Sequence, residues 1–274
     1  MTERLSLIAG SGALAGEVIQ AARGRGYELQ VLSLGRAGAA LKGVRTVPLR
    51  LSKPQDAIET IRSFGATLIA MAGGVRLGDL ARERFARFLG ASEGQALGDG
   101  GLSELAAQLT QMTGARLVGV QDIAPDLIAR DGLVGGPQPP VGLREAARDA
   151  LALARKAGAL DLGQAIVVAG RRVIAAEDIL GTDALLKRVQ NYRALGLTAD
   201  GTSPLVLAKA AKPDQPLFLD LPAIGPVTVA KARKAGISLI VVQADATVLI
   251  ERHKLASAAD AAGITILALP AADD

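Results

Sequence analysis

Asp220 lies where an apolar run gives way to a proline-flanked turn, Phe218-Leu219-Asp220-Leu221-Pro222-Ala223-Ile224-Gly225-Pro226. A carboxylate among apolar neighbours is costly unless it is paired, hydrogen-bonded or bound to a metal. Pro222 and Pro226 stiffen the backbone after it, so the acid would be held rigidly. Its plainer reading is a turn or cap aspartate. A second acidic group, Glu177-Asp178, ends a strand-like run just before Gly181-Thr182-Asp183. Two glycine loops offer a different chemistry. Gly10-Ser11-Gly12, with Gly16 beyond, follows a strand and opens a helix, where backbone N–H groups and the helix dipole hold phosphate. Ala72-Gly73-Gly74-Val75-Arg76 is a second such loop, and Arg76 is of the type that clamps phosphate. The plainer readings are a tight strand-to-helix turn and a solvated arginine.

The composition narrows the chemistry further. The 274 residues contain no Cys and one His, which excludes thiolate nucleophiles, Cys/His zinc sites and Fe–S clusters. Any metal would sit on oxygen ligands. The lone His253 stands among charges in Glu251-Arg252-His253-Lys254 and reads as a surface residue, not as part of a triad. The first loop is one residue longer than the dinucleotide fingerprint, and Gly35-Arg36 stand where a ribose-binding acid belongs, which argues against an NAD site. Aromatics are 2% and the net charge of +4 is evenly spread, so nucleic acid is not an expected partner. No apolar run approaches the length of a membrane span or a signal-peptide core, and a cytoplasmic protein is expected.

The elements that must position these residues are α/β throughout. Strands at 5–9, 30–34, 45–49, 66–71 and 115–120 alternate with helices at 13–23, from 54, 77–89 and 102–113, with Ser52 as an N-cap. Uniformly apolar strands in this rhythm predict a Rossmann-like parallel sheet covered on both faces. The Gly/Pro-rich stretch 130–140 breaks the pattern and predicts a boundary between domains at 1–132 and 141–274. The second half reads as a mixed α/β domain. A helix opens it, and a hairpin follows at 164–176 around Gly170-Arg171. Further strands are expected at 206–210, 217–219, 238–242, 247–250 and 264–268, and helices from 183 (capped by Thr182), 226–235 and 251–262.

Leu7 to Leu14, Ala72 to Arg76, Gly98-Asp99, Asp161 to Gln164, Glu177, Gly181 to Leu186, Lys209, Lys212-Pro213 and Asp220 to Pro226 occur in an order that resembles the LpxI-type UDP-2,3-diacylglucosamine pyrophosphatases over nearly the whole chain. The resemblance implies hydrolysis of the substrate's pyrophosphate by water attack on the α-phosphorus. The products would be UMP and the acylated sugar 1-phosphate lipid X, in lipid A synthesis of Gram-negative bacteria. It implies Mg2+ (or Mn2+), a ligand at the junction of two domains, a homodimer, and a place in the cytoplasm or on the inner-membrane surface. The family's essential aspartate falls on Asp220, expected as catalytic and, with Asp183, as a metal ligand. Expected substrate contacts are Gly10, Ser11, Gly12, Gly74, Arg76, Asp99, Gln164, Gly181, Thr182, Asp183, Arg188, Lys209, Lys212 and Gly225. The chain departs from the family pattern at Leu77, Gly100, Leu180, Pro216 and Phe218. These departures keep open a second reading, a catalytically weak or inactive relative that binds a nucleotide-linked lipid and regulates. The residue chemistry agrees in kind with hydrolysis. Cleaving a phosphoanhydride needs positive charge near the phosphoryl oxygens and a positioned water, with no covalent nucleophile.

Overall fold

In the computed structural model, residues 2–34, 43–50, 53–74, 107–198, 203–213 and 221–271 are described. The chain forms two compact units that divide between Pro125 and Asp126.

The first unit holds a five-stranded sheet, all parallel, in the order β3-β2-β1-β4-β5. Its strands are β1 (Arg4–Ala9), β2 (Glu28–Ser33), β3 (Arg45–Pro48), β4 (Leu68–Ala72) and β5 (Arg116–Leu117). Helix α1 (Leu14–Gly24) links β1 to β2, and α2 (Pro54–Phe64) links β3 to β4. Strand order grows in one direction from β1 to β3 and then jumps back to β4. Right-handed crossovers therefore put α1 and α2 on opposite faces, and the switch point falls between β1 and β4. Helix α2 forms because Pro54 presets its first turn, while Ala57, Ile58, Ile61 and Phe64 make one apolar stripe. That stripe packs with Leu32, Ile69 and Leu109. Gly65, left-handed at φ 67°, ends it. A short helix α3 (Val120–Ile123) follows β5, its first turn tied by the Gly119 N–H donating to Asp122 Oδ2 at 2.9 Å.

The second unit contains a six-stranded sheet in the order β6-β13-β11-β9-β7-β8. β9 (Leu205–Lys209), β11 (Leu239–Gln243) and β13 (Thr265–Leu269) run parallel at its centre. The hairpin β7 (Ala165–Ala169) and β8 (Arg172–Ala176) flanks β9 antiparallel, and β6 (Gly132–Gly135) flanks β13 antiparallel. Strand residues alternate between the two faces. Ile166, Val168, Val206, Ala208, Leu239, Val241 and Leu267 meet α4 (Val141–Ala159) through Ala147, Ala150, Leu151 and Ala154. Val167, Leu207, Ile240, Val242 and Ile266 face the other core, which contains buried residues of α5 (Gly181–Ala194), α6 (Pro226–Ala235) and α7 (Arg252–Ala262). A two-residue strand, β10 (Ala223–Ile224), pairs in parallel with β12 (Val248–Leu249).

Several sequence expectations need correction. The strand expected over 115–120 shrinks to Arg116–Leu117, because the chain turns into α3 at Val120. Thr182 does not cap α5: Leu180 holds the cap position, and the Thr182 hydroxyl is engaged elsewhere. The Gly/Pro stretch is not all connecting loop, since it contains β6. An added Cβ on Gly135 would come within 2.7 Å of Ala256 Cα, and one on Gly136 within 1.9 Å of the Ile264 carbonyl oxygen. Glycine stands there to let the edge strand lie against α7 and β13, not to loosen the chain. The expected Ser52 cap, the helix over 77–89 and the strand over 217–219 fall outside the described residues.

Candidate functional site

The two glycine loops of the first unit flank its switch point, after β1 and after β4. They are bound to each other by backbone. The Ser11 N–H donates to the Gly74 carbonyl (2.9 Å) and the Gly74 N–H to the Ser11 carbonyl (2.8 Å), an antiparallel bridge. The Gly10 N–H donates to the Ala72 carbonyl (2.8 Å), and the Ser11 hydroxyl to the Gly74 carbonyl (3.0 Å). Only glycine permits this approach. A Cβ on Gly10 would stand 2.5 Å from Gly74 O, and one on Gly73 would stand 2.8 Å from Ser11 O. The amides of Gly10, Ser11 and Gly74 are thus taken up by neighbouring carbonyls. An anion at this loop would be met from Gly12 onward, where φ is 99° and the space beside Cα is open.

In the second unit the edge of the sheet carries side chains. The carboxyl ends of β8, β9 and β11 and the start of β7 lie along one border, as the registers Ala165 to Lys209 and Val242 to Lys209 show. Glu177 follows β8 and accepts two hydrogen bonds: the Gln164 N–H donates to its Oε2 (3.0 Å) and the Thr182 hydroxyl to its Oε1 (2.6 Å). Gly163, at φ 91°, makes this possible, because a Cβ there would lie 2.9 Å from Glu177 Cβ. Lys209, 6% exposed at the end of β9, donates from Nζ to Thr182 Oγ1 (2.8 Å) and to the Ala223 carbonyl (3.1 Å).

Around this chain the charges are paired. Arg188 bridges Asp178 and donates to the Ala176 carbonyl at 2.6 Å. Lys212 pairs with Asp161, and Lys231 with Asp183. Gly225 precedes α6, and its N–H donates to Thr228 Oγ1 at 3.3 Å. Gly181, at φ 80°, opens α5 beside Glu177.

Of the residues expected from sequence, Gln164, Gly181, Thr182 and Lys209 converge on Glu177 and Ala223. Arg188 meets the same strand end through Ala176. Gly10, Ser11, Gly12 and Gly74 form the separate backbone arrangement of the first unit. Arg76, Asp99 and Asp220 lie outside the described residues. Glu177, a strand-ending acid and one of the residues of the family resemblance but not among the expected site residues, is the hub of the network. The available signal was its spacing, since an acid closing a hairpin strand just ahead of a Gly-Thr pair can reach back to both. Among the described residues, no group of three His, Asp or Glu is placed to hold a metal ion. Asp183 is ion-paired with Lys231, and each Glu177 oxygen accepts one hydrogen bond.

The fold defines a protein of two α/β units, the second with a border of polar side chains at the carboxyl ends of its parallel strands. Residues 4–127 match the LpxI N-terminal domain and residues 130–267 the LpxI C-terminal domain, so the chain belongs to the LpxI family. It is 29% identical to the UDP-2,3-diacylglucosamine pyrophosphatase LpxI of Caulobacter vibrioides over 96% of both chains. Two solved structures are similar to parts of it. A glycinamide-RNase-transformylase T from Mycobacterium tuberculosis is 15% identical, covering 65% of this chain and 44% of that one, at a TM-score of 0.25. A DAP dehydrogenase of C. glutamicum is 13% identical, covering 77% and 63%, at a TM-score of 0.27.

Proposed function

We propose that the protein hydrolyses the pyrophosphate of UDP-2,3-diacylglucosamine to UMP and 2,3-diacylglucosamine 1-phosphate, in lipid A synthesis. The observation that carries this reading is the match to a relative of that name across 96% of both chains. The chemistry of the second unit supports it. Lysine and arginine at a sheet's carboxyl edge offset phosphate charge as it develops on the leaving and transferring oxygens, and no covalent nucleophile is required. In this reading water attacks the α-phosphorus, and Asp220 orients it.

The surroundings suit a lipid-linked substrate. Leu160 and Leu162 (73% and 51% exposed) and Ile179 and Leu180 (79% and 69%) lie on the two loops joined by the Gln164–Glu177 bond. Apolar side chains bordering a polar site are what a ligand with a charged head and acyl chains would need, and they would also suit contact with a membrane surface. Among the described residues no helix is long and apolar enough to cross a membrane. A hard divalent cation, Mg2+ or Mn2+, is part of the proposal. Such an ion is commonly held by substrate phosphates with only one or two carboxylates. Asp220 and Asp183 are the acids assigned to it, although Asp183 would first have to leave Lys231.

The test is incubation with UDP-2,3-diacylglucosamine in 18O-water, with Mg2+ or with chelator. UMP carrying 18O, formed only with the cation, is the expected result. Label in the sugar phosphate would move the attack to the β-phosphorus. Tight binding without UMP release would make the protein a binder of the nucleotide-linked lipid.

A further inference from the structure

We infer that Glu177 is a positioning residue, acting through Thr182 and Lys209 on the backbone at Ala223, which follows Asp220 by three positions. The inference rests on the hydrolysis proposed above for its kinetic consequence, but not for its geometry.

The direction of the chain follows from donor counting. An ammonium only donates, so Thr182 Oγ1 must accept from Lys209 at 2.8 Å. The hydroxyl has one proton, and at 2.6 Å it goes to Glu177 Oε1. The other carboxylate oxygen accepts from the Gln164 N–H. Thr182 is therefore oriented by its neighbours. Its one proton is committed to Glu177, which makes it a link between two charged groups and not a donor to substrate.

Lys209 is buried, and burying an ammonium is costly without compensating charge nearby. Glu177 supplies negative charge one hydroxyl away. In return Lys209 donates to the Ala223 carbonyl at 3.1 Å. On the other side, this segment is held by β12, where the Val248 N–H donates to the Pro222 carbonyl and the Ile250 N–H to the Ile224 carbonyl. Residues 222–224 are thus gripped from two directions. The lysine side of the grip is the one that Glu177 controls. The backbone at 222–224 is set by side chains that need not touch the substrate.

The experiment compares wild type with Glu177→Gln, Thr182→Val, Thr182→Ser and Lys209→Met in the full chain. It measures kcat and KM for UMP release and amide hydrogen exchange of peptides spanning 221–226. Glu177→Gln and Thr182→Val should lower kcat by about tenfold or more with KM changed less than about threefold. Thr182→Ser should recover most of the turnover. Exchange over 221–226 should quicken in Glu177→Gln, Thr182→Val and Lys209→Met, while β11 and β13 keep their protection. If Lys209→Met does not fold, the Glu177 and Thr182 variants carry the test alone. Wild-type kcat and wild-type exchange in Glu177→Gln would overturn the inference. So would a serine variant no better than valine, or an effect confined to KM, which would mark a substrate contact. Absence of UMP release by wild type would instead overturn the proposed activity, and the exchange measurement would still decide the positioning role.

Discussion

The edge of the first sheet is organised by backbone and the edge of the second by side chains. At the first, Gly10 and Gly73 let two loops approach until their amides and carbonyls pair across the switch point. At the second, a lysine, a threonine and a glutamate from three separate elements are joined in one polarity. The difference teaches how each region should fail. A backbone bridge is limited by sterics, so a substitution there is felt as lost stability. A directed chain of side chains is limited by which atom donates, so a substitution there is felt in rate, even where the shape is kept.

The largest expected effect belongs to the acid assigned to the water. Asp220→Ala should lower UMP release on the order of 10^3-fold, the scale of losing one group needed in the transition state, while lipid binding stays close to wild type. Wild-type turnover at saturating cation would remove Asp220 from the chemistry. Next is Gly10→Ala, whose Cβ would stand 2.5 Å from the Gly74 carbonyl oxygen. Overpacking of this kind costs about 2–3 kcal/mol. Calorimetry should show Tm lowered by about 5–10 °C, with kcat per folded molecule unchanged. An intact Tm with a damaged rate would break the contrast between the two edges.

Gly12→Val sharpens it. Space beside Gly12 is open, so the cost is the left-handed backbone at φ 99°, about 1–2 kcal/mol. Because any anion at this loop is met from Gly12 onward, KM should also rise. Unchanged affinity would take the loop out of the binding site. The smallest effect is that of Asp161→Asn. Asp161 is 68% exposed in its pair with Lys212, and such exposed pairs contribute less than about 1 kcal/mol. A denaturant titration should show a shift within that range and no change in kcat.

Much of this architecture was legible in the residues. The short apolar runs at 238–242 and 264–268 read as buried strands, and Gly170-Arg171 between two β-branched runs as a hairpin, and the structure has both. Other features depend on partners that local pattern does not name. Thr182 has the look of a helix cap, but a carboxylate five positions back competes for its hydroxyl and prevails. Gly135 and Gly136 have the look of a linker because glycine for freedom and glycine for close packing are spelled alike. The same holds at Gly10, where a phosphate loop and a tight bridge call for the same residue. Lys209 was read from sequence as a phosphate partner, but its burial and its hold on the Ala223 carbonyl emerge only when β9 is flanked by β7 and β11.

The hairpin that carries Glu177 has a consequence for the order of folding. Its register shifts between Val167 and Val168, so Ile166 faces Ala176 while Val168 faces Val173. Glu177 reaches Gln164 only when that irregular pairing is complete. It reaches Lys209 through Thr182 only when β9 has docked beside β7. Pairing of strands distant in sequence is slow because the loops between them must close first. During refolding, helices and the local hairpin should therefore appear before the Gln164–Glu177–Thr182–Lys209 chain closes. Catalytic competence would lag behind the return of secondary structure, making activity a late reporter of a correctly registered sheet.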